Sequence, residues 1–175
     1  MKIESPSFTM DDVKGFIDTY ADRERNLLAD RLQLASDRLA ALGPRVAKQV
    51  TDDSDWTAHE LLAHLAVLSK FYGVMVHRVA GGKLPDVDLL QAVNMRDAAG
   101  REMSERDPDE ILRMTLADHE RTIKALRTAD PASFRRSARV SDDLTMTAEE
   151  IARLPLISHL EMHVDELEKL LGARA

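Results

Sequence analysis

The chain has 175 residues, of which 44% are hydrophobic and 31% are charged. This composition is typical of a globular protein with a buried core, and we expect one domain over residues 1–175. Its 24 basic and 31 acidic residues give a net charge of −7, which argues against a nucleic acid or an anionic membrane as partner. The absence of cysteine excludes disulfides, a thiolate nucleophile and cysteine-ligated metal sites.

Neither end of the sequence nor its interior resembles a membrane segment. No apolar run approaches the roughly 18 residues that a transmembrane helix needs. The first residues, MKIESPSFTMDD, lack the apolar stretch of a signal peptide. These two features predict a cytoplasmic protein.

Four segments begin with a capping residue that is followed three positions later by a carboxylate able to bond a free backbone N–H. The four pairs are Thr9 with Asp12, Thr57 with Glu60, Asp107 with Glu110, and Thr147 with Glu150. Glycine and proline mark where the segments end. The predicted long helices lie near 10–42, 57–80, 108–129 and 147–171, with a shorter helix at 87–103.

Two parts of the chain interrupt this helical pattern. Residues 131–146 have no helical period, and we expect them to form a long connection across one end of the molecule. Pro155 lies inside the fourth long helix and should kink it or rearrange it one turn before His159, because proline lacks an N–H. The sequence therefore predicts an all-α fold, a four-helix bundle with an extra short helix between the second and third long helices.

Two histidines, His159 and His163, stand four residues apart in the stretch SHLEMHVDEL at 158–167. Four residues advance a helix by about 400°, so the two imidazoles lie one above the other on one face. Such a pair can bind one metal ion, although the same spacing also suits a helix C-terminus or a solvated face.

The second long helix carries three further histidines that differ in direction. His64 lies at the edge of the apolar stripe, whereas His59 and His77 fall about 140° away and are expected to be exposed. The stretch HELLAH at 59–64 resembles the zinc-protease motif H-E-x-x-H but has one residue too many. At a spacing of five the two imidazoles diverge, which excludes the protease interpretation.

On the fourth long helix, His163 falls inside the apolar arc and His159 at its edge. Three neutral imidazoles in one core are costly unless one shared partner satisfies them, and a metal ion would do so. Glu24 and His119 also occupy apolar stripes on the first and third long helices. For these two residues, a core hydrogen bond, support of a ligand and acid–base work all remain open.

The segments DWTAHELLAHLA at 55–66 and SHLEMHVDELEKLLG at 158–172 carry a family likeness. With this order of helices, the chain resembles the DinB/YfiT-like family of metalloenzymes, which includes mycothiol-dependent maleylpyruvate isomerase and bacillithiol transferase. The resemblance implies a bundle that binds a divalent metal through His64, His159 and His163. An all-imidazole set favours zinc or nickel, and iron, cobalt or manganese would also fit.

The same resemblance implies a divalent-metal-dependent enzyme with an open site. It would act on a small molecule by thiol-dependent transfer or isomerisation, with a low-molecular-weight thiol as cosubstrate, or by hydrolysis. Glu24 and His119 are the candidates for catalytic groups. The alternative is a non-catalytic bundle that serves in binding or as a stress-response accessory. A homodimer is the expected assembly, because symmetric dimers are the commonest oligomers.

Overall fold

The computed structural model describes residues 8–49 and 56–172, apart from the side chains of 89–93 and 96–97. The regular elements follow in chain order: α1 (Met10–Leu42), α2 (Ala58–Ala80), α3 (Leu89–Met103), α4 (Pro108–Thr128), β1 (Ser137–Ser141), β2 (Leu144–Thr147), α5 (Ala148–Ile151), a π-helical segment (Ala152–Ser158) and α6 (His159–Gly172).

The long helices enclose one apolar core. α4 packs against both α1 and α2, and α6 packs against the same two helices. Each of the four contributes fully buried leucines to the centre, among them Leu32, Leu65, Leu126 and Leu160. α3 packs on the outside of α2. The predicted four-helix bundle with an extra short helix is therefore confirmed. In the described part of the chain, no helix combines the length and apolar character needed to cross a bilayer.

The predicted helix starts are close to the observed ones. Thr9, Thr57 and Thr147 each form both halves of a capping box with the carboxylate three residues later. Asp107 caps α4 in a different way, because its carboxylate accepts from the N–H of Asp109 at 3.0 Å. The carboxylate of Glu110, its expected partner, is instead paired with Arg106 at 2.7 Å.

The connection at 131–146 is more ordered than predicted. It begins with a 3-10 turn, and then β1 and β2 form an antiparallel hairpin in which Ser137 pairs with Thr147. Along β1 the side chains alternate between exposed and buried, and Ala138 and Val140 face the protein. A period of two over only five residues is too short to distinguish a strand from an irregular connection in the sequence.

Pro155 produces the expected rearrangement of the fourth long helix. The segment Ala152–Ser158 is π-helical, and the N–H of His159 bonds to the carbonyl of Leu154, five residues back. A π turn accommodates the missing N–H of proline and shifts the following residues around the helix axis. The start of α6, and with it the direction of His159, therefore depends on Pro155.

His59 is buried with no exposed surface, so the prediction that it faces solvent was wrong, whereas His77 is exposed as expected. The Nε2 atom of His59 lies 3.0 Å from the carbonyl of Arg106, and Nδ1 accepts the N–H of Gln49 at 3.2 Å. Loops before α2 and after α3 thus cover this side of the helix. A helical wheel for α2 alone contains no information about such covering segments.

We expect His59→Ala to lower the free energy of unfolding by about 2 kcal/mol, because two backbone partners lose their hydrogen bonds and a cavity remains. His77→Ala is the matched control on the same helix and should change stability by less than about 0.5 kcal/mol. Denaturant unfolding followed by circular dichroism measures both variants. Equal stability of the two variants would show that the contacts of His59 contribute nothing.

Candidate metal centre

Three histidines converge where α2 meets the start of α6. His64 extends from α2, while His159 and His163 follow each other by one turn on α6. One ring nitrogen from each lies within 4.8 Å of those of the other two. The ring centroids of His64 lie 4.9 Å from His163 and 5.7 Å from His159. The structure thus brings together the three residues that the sequence had singled out.

The two histidines of α6 are held in a defined orientation. Nδ1–H of His163 donates to the Oε2 atom of Glu166 at 2.8 Å, which leaves the lone pair of Nε2 directed at the cluster. The Nε2 atoms of His163 and His159 are 2.8 Å apart. A carboxylate that bonds the far nitrogen of an imidazole is the usual support of a metal-ligating histidine. Sequence reasoning missed Glu166, although its i, i+3 spacing from His163 was visible.

Trp56 covers one side of the cluster. Its ring lies 4.6 Å from the His64 ring and 6.0 Å from the His163 ring, between centroids. The indole remains 44% exposed, so it lies between the imidazoles and solvent. It is also the single tryptophan of the chain, and its fluorescence therefore reports on this site alone.

The donor set fits a divalent ion. Zn–N bonds of about 2.0–2.1 Å place two nitrogen ligands of one ion about 3 Å apart, which the pair on α6 already satisfies. The third nitrogen lies within 4.8 Å of the other two, and a small change of side-chain torsion would bring it to the same ion. Three protein ligands leave further coordination positions open, which is the pattern of catalytic sites.

Glu24 and His119 lie outside this cluster. The carboxylate of Glu24 is paired with Arg153 at 2.7 Å, on the side of α1 that faces the π-helical segment. The Nε2 atom of His119 is 2.8 Å from the hydroxyl oxygen of Ser69, between α4 and α2. Burial lowers the pKa of His119 to about 4, and the nearby Asp118 opposes this shift. Both candidates therefore have partners of their own, and the structure does not bring either into contact with the three histidines.

The fold and the site define the class of protein. It is a helical bundle in which three imidazoles can bind one metal ion and leave coordination positions free. A family model described as the mycothiol maleylpyruvate isomerase N-terminal domain matches residues 28–164, well over half of the chain. The chain belongs to this family, whose domain is of the DinB/YfiT-like type. The match confirms the family resemblance that the sequence motifs indicated. The match includes all three histidines of the cluster. Neither the comparison with curated proteins nor the comparison with solved structures gives a match.

We expect Glu166→Gln to weaken metal binding about 10- to 100-fold, because an amide is a poorer acceptor for Nδ1–H than a carboxylate. Glu168→Gln is the matched control, since Glu168 lies on the same helix but is paired with Arg38. Competition against a zinc-binding dye measures both affinities. A loss of the same size in both variants would mean that only the general negative charge of α6 matters.

Proposed function

We propose that this protein is a divalent-metal-dependent enzyme that acts on a small molecule by thiol-dependent transfer or isomerisation. The observation that carries the proposal is the convergence of His64, His159 and His163 in a member of a family named for a mycothiol maleylpyruvate isomerase. We further propose zinc or nickel as the metal, with iron, cobalt or manganese as alternatives that imidazole also accepts. A cytoplasmic location and a homodimeric state belong to the same proposal.

A bound divalent ion supplies a Lewis acid that lowers the pKa of a water or a thiol at its open position. The side chains around the site have supporting tasks. Glu166 holds His163 in the tautomer that exposes Nε2. Trp56 shields the imidazoles from part of the solvent, which strengthens electrostatic interactions at the site.

A thiol nucleophile would have to come from outside the chain. The sequence contains no cysteine, and the metal-ligating atoms of the described cluster belong to three imidazoles. A small thiol as cosubstrate meets this need for a transfer reaction, and water meets it for hydrolysis. Hydrolysis at the same centre is therefore the second candidate function.

One ester separates the two candidates. In 4-nitrophenyl acetate, a thiol sulfur can attack the acyl carbon, the ester C–O bond breaks, nitrophenolate leaves, and the thiol proton passes to solvent. We expect zinc- or nickel-loaded protein to release nitrophenolate at least tenfold faster than metal-stripped protein when N-acetylcysteine is present, with saturation in the thiol.

Other results of the same assay would contradict the proposed transfer reaction. An equally fast metal-dependent release without thiol would assign hydrolysis instead of transfer. Equal rates for loaded and metal-stripped protein would overturn the proposed catalytic role of the site. A chain that binds metal but accelerates neither reaction fits the alternative of a non-catalytic bundle.

A further inference from the structure

A cavity of about 700 Å³ lies between α2 and α3. This volume falls within the range of about 300–1,000 Å³ that is usual for small-molecule sites. Most of its lining is apolar, and both helices contribute to it. The central apolar residues are Val67, Phe71 and Met75 on α2, and Met95, Ala99 and Met103 on α3.

Two residues that line the cavity lie near His64 on α2. Val67 follows His64 by three residues on α2, and Phe71 follows it by seven, so these residues share one face of the helix. Three residues correspond to about 4.5 Å along the helix axis. One end of the cavity therefore lies within about one helical turn of His64 along α2.

The charges at the rim favour an anion. Lys70 and Arg78 both line the cavity, and among the described residues neither side chain forms an ion pair or a hydrogen bond. The two carboxylates of the lining are different. Asp86 is paired with Arg139 at 2.8 Å, and Asp88 also has a partner. Among the described residues, Lys70 and Arg78 are thus the charged groups of the lining that are available to bind an anion.

We infer that this cavity binds a small molecule with an apolar body and one anionic group. The further step, that this bound molecule is the substrate of the metal centre, rests on the proposed function. The apolar body would fill the space between α2 and α3, and Lys70 or Arg78 would bind the anionic group. The uncharged and cationic analogues of the same body should bind less well.

Calorimetric titration with decanoate, decanol and decyltrimethylammonium tests the inference, since the three share an apolar chain and differ in head-group charge. We expect decanoate to bind at least tenfold more tightly than decyltrimethylammonium. Lys70→Gln or Arg78→Gln should weaken decanoate binding three- to tenfold, whereas Lys83→Gln should not. Equal binding of the three ligands, or no effect of either substitution at the rim, would overturn the inference.

A matched pair of variants on α3 tests the location. Ala99→Trp fills the cavity and should weaken decanoate binding at least tenfold, whereas Ala98→Trp lies on the exposed side and should leave it unchanged. Metal-stripped protein should bind decanoate as well as loaded protein does. Decanoate binding in a protein without metal-dependent ester cleavage would therefore contradict the proposed function alone. Metal-dependent ester cleavage in a protein that does not bind decanoate would contradict this inference alone.

A second inference comes from α1, which is independent of the cavity. α1 has 33 residues, whereas α2 has 23 and α4 has 21. Its first buried residue is Ala21, so the segment Met10–Tyr20 lacks contact with the core. A partner would bury apolar surface of this segment that the bundle leaves exposed.

The exposed face of α1 has the spacing of a coiled coil. Five exposed apolar side chains form one inclined stripe along the helix. Their exposed fractions are 70% for Met10, 47% for Ile17, 64% for Tyr20, 47% for Leu27 and 65% for Leu34. Successive members are separated by seven or three residues, which are the intervals between a and d positions of a heptad. We call this set the α1 stripe.

We propose that the α1 stripe pairs with the α1 stripe of a second copy in the antiparallel direction. A two-fold axis near residue 22 places Met10 opposite Leu34 of the second copy, and Ile17 opposite Leu27 of the second copy. A second copy supplies this matching register, because a two-fold interface must be self-complementary.

Sedimentation or light scattering over a range of concentrations tests this pairing. We expect wild type to be a dimer and both Ile17→Glu and Leu27→Lys to be monomers. The double variant should form dimers again, because the two new charges of opposite sign face each other across the axis. Leu144→Glu, an exposed apolar position on the hairpin, is the control and should remain dimeric. A monomeric wild type, or a dimer unaffected by Ile17→Glu, would overturn the proposal.

Discussion

Replacing His163 by alanine is expected to remove the metal from the protein while the bundle remains folded. His163 is the most buried of the three histidines, and its ring is the one that Glu166 orients. Loss of a supporting hydrogen bond already costs about 10- to 100-fold in metal affinity, so loss of the ligand itself should cost more than about 100-fold. The described hydrogen-bond partners of His163 are the side chains of Glu166 and His159 rather than backbone groups, so the effect on folding should be smaller.

The fluorescence of Trp56 gives a direct measurement of this effect. The indole is 4.6 Å from the His64 ring, and we expect titration with nickel or cobalt to quench it in wild type. His163→Ala should show no quenching at the same concentrations, with unchanged helicity by circular dichroism. His77→Ala, exposed on α2, is the matched control and should behave as wild type. Quenching that survives in His163→Ala would place the metal elsewhere.

The second large effect concerns pH. Burial lowers the pKa of His119 from 6.5 to about 4, so the folded state resists a proton that the unfolded chain binds below about pH 6.5. Stability from the neutral imidazole is fully present above pH 6.5 and is lost as the pH falls toward 4. The shift corresponds to about 3 kcal/mol between these limits.

The double variant His119→Leu with Ser69→Ala removes both the titrating group and its hydrogen-bond partner. We expect the difference in unfolding free energy between wild type and this variant to shrink by about 3 kcal/mol from pH 7 to pH 4. His77→Leu is the control, and its curve should run parallel to that of wild type. A double variant whose curve also runs parallel to wild type would contradict the burial of a neutral imidazole at His119.

The helices and the cluster were accessible from the sequence because both depend on local periodicity. Capping boxes at Thr9, Thr57 and Thr147 are contained within four residues, and the inward direction of His64 follows from the apolar stripe around it. The three histidines lie on two helices, and the packing of these helices in the bundle brings the imidazoles together.

The remaining features depend on contacts between distant segments. His59 is buried because the loop before α2 and the turn after α3 cover it, and neither is visible in the period of α2. The β1–β2 hairpin is too short for a clear alternation. The cavity between α2 and α3 requires the position of α3, whose place outside the bundle no single-helix pattern predicts.

The metal content of the purified protein tests the central proposal most directly. The protein should be prepared without a histidine tag, incubated with zinc or nickel, desalted and measured by atomic spectroscopy. We predict about one divalent ion per chain in wild type, and almost none in His159→Ala or His163→Ala with helicity retained. Wild type that retains no ion after this treatment would contradict a metal centre at the three histidines.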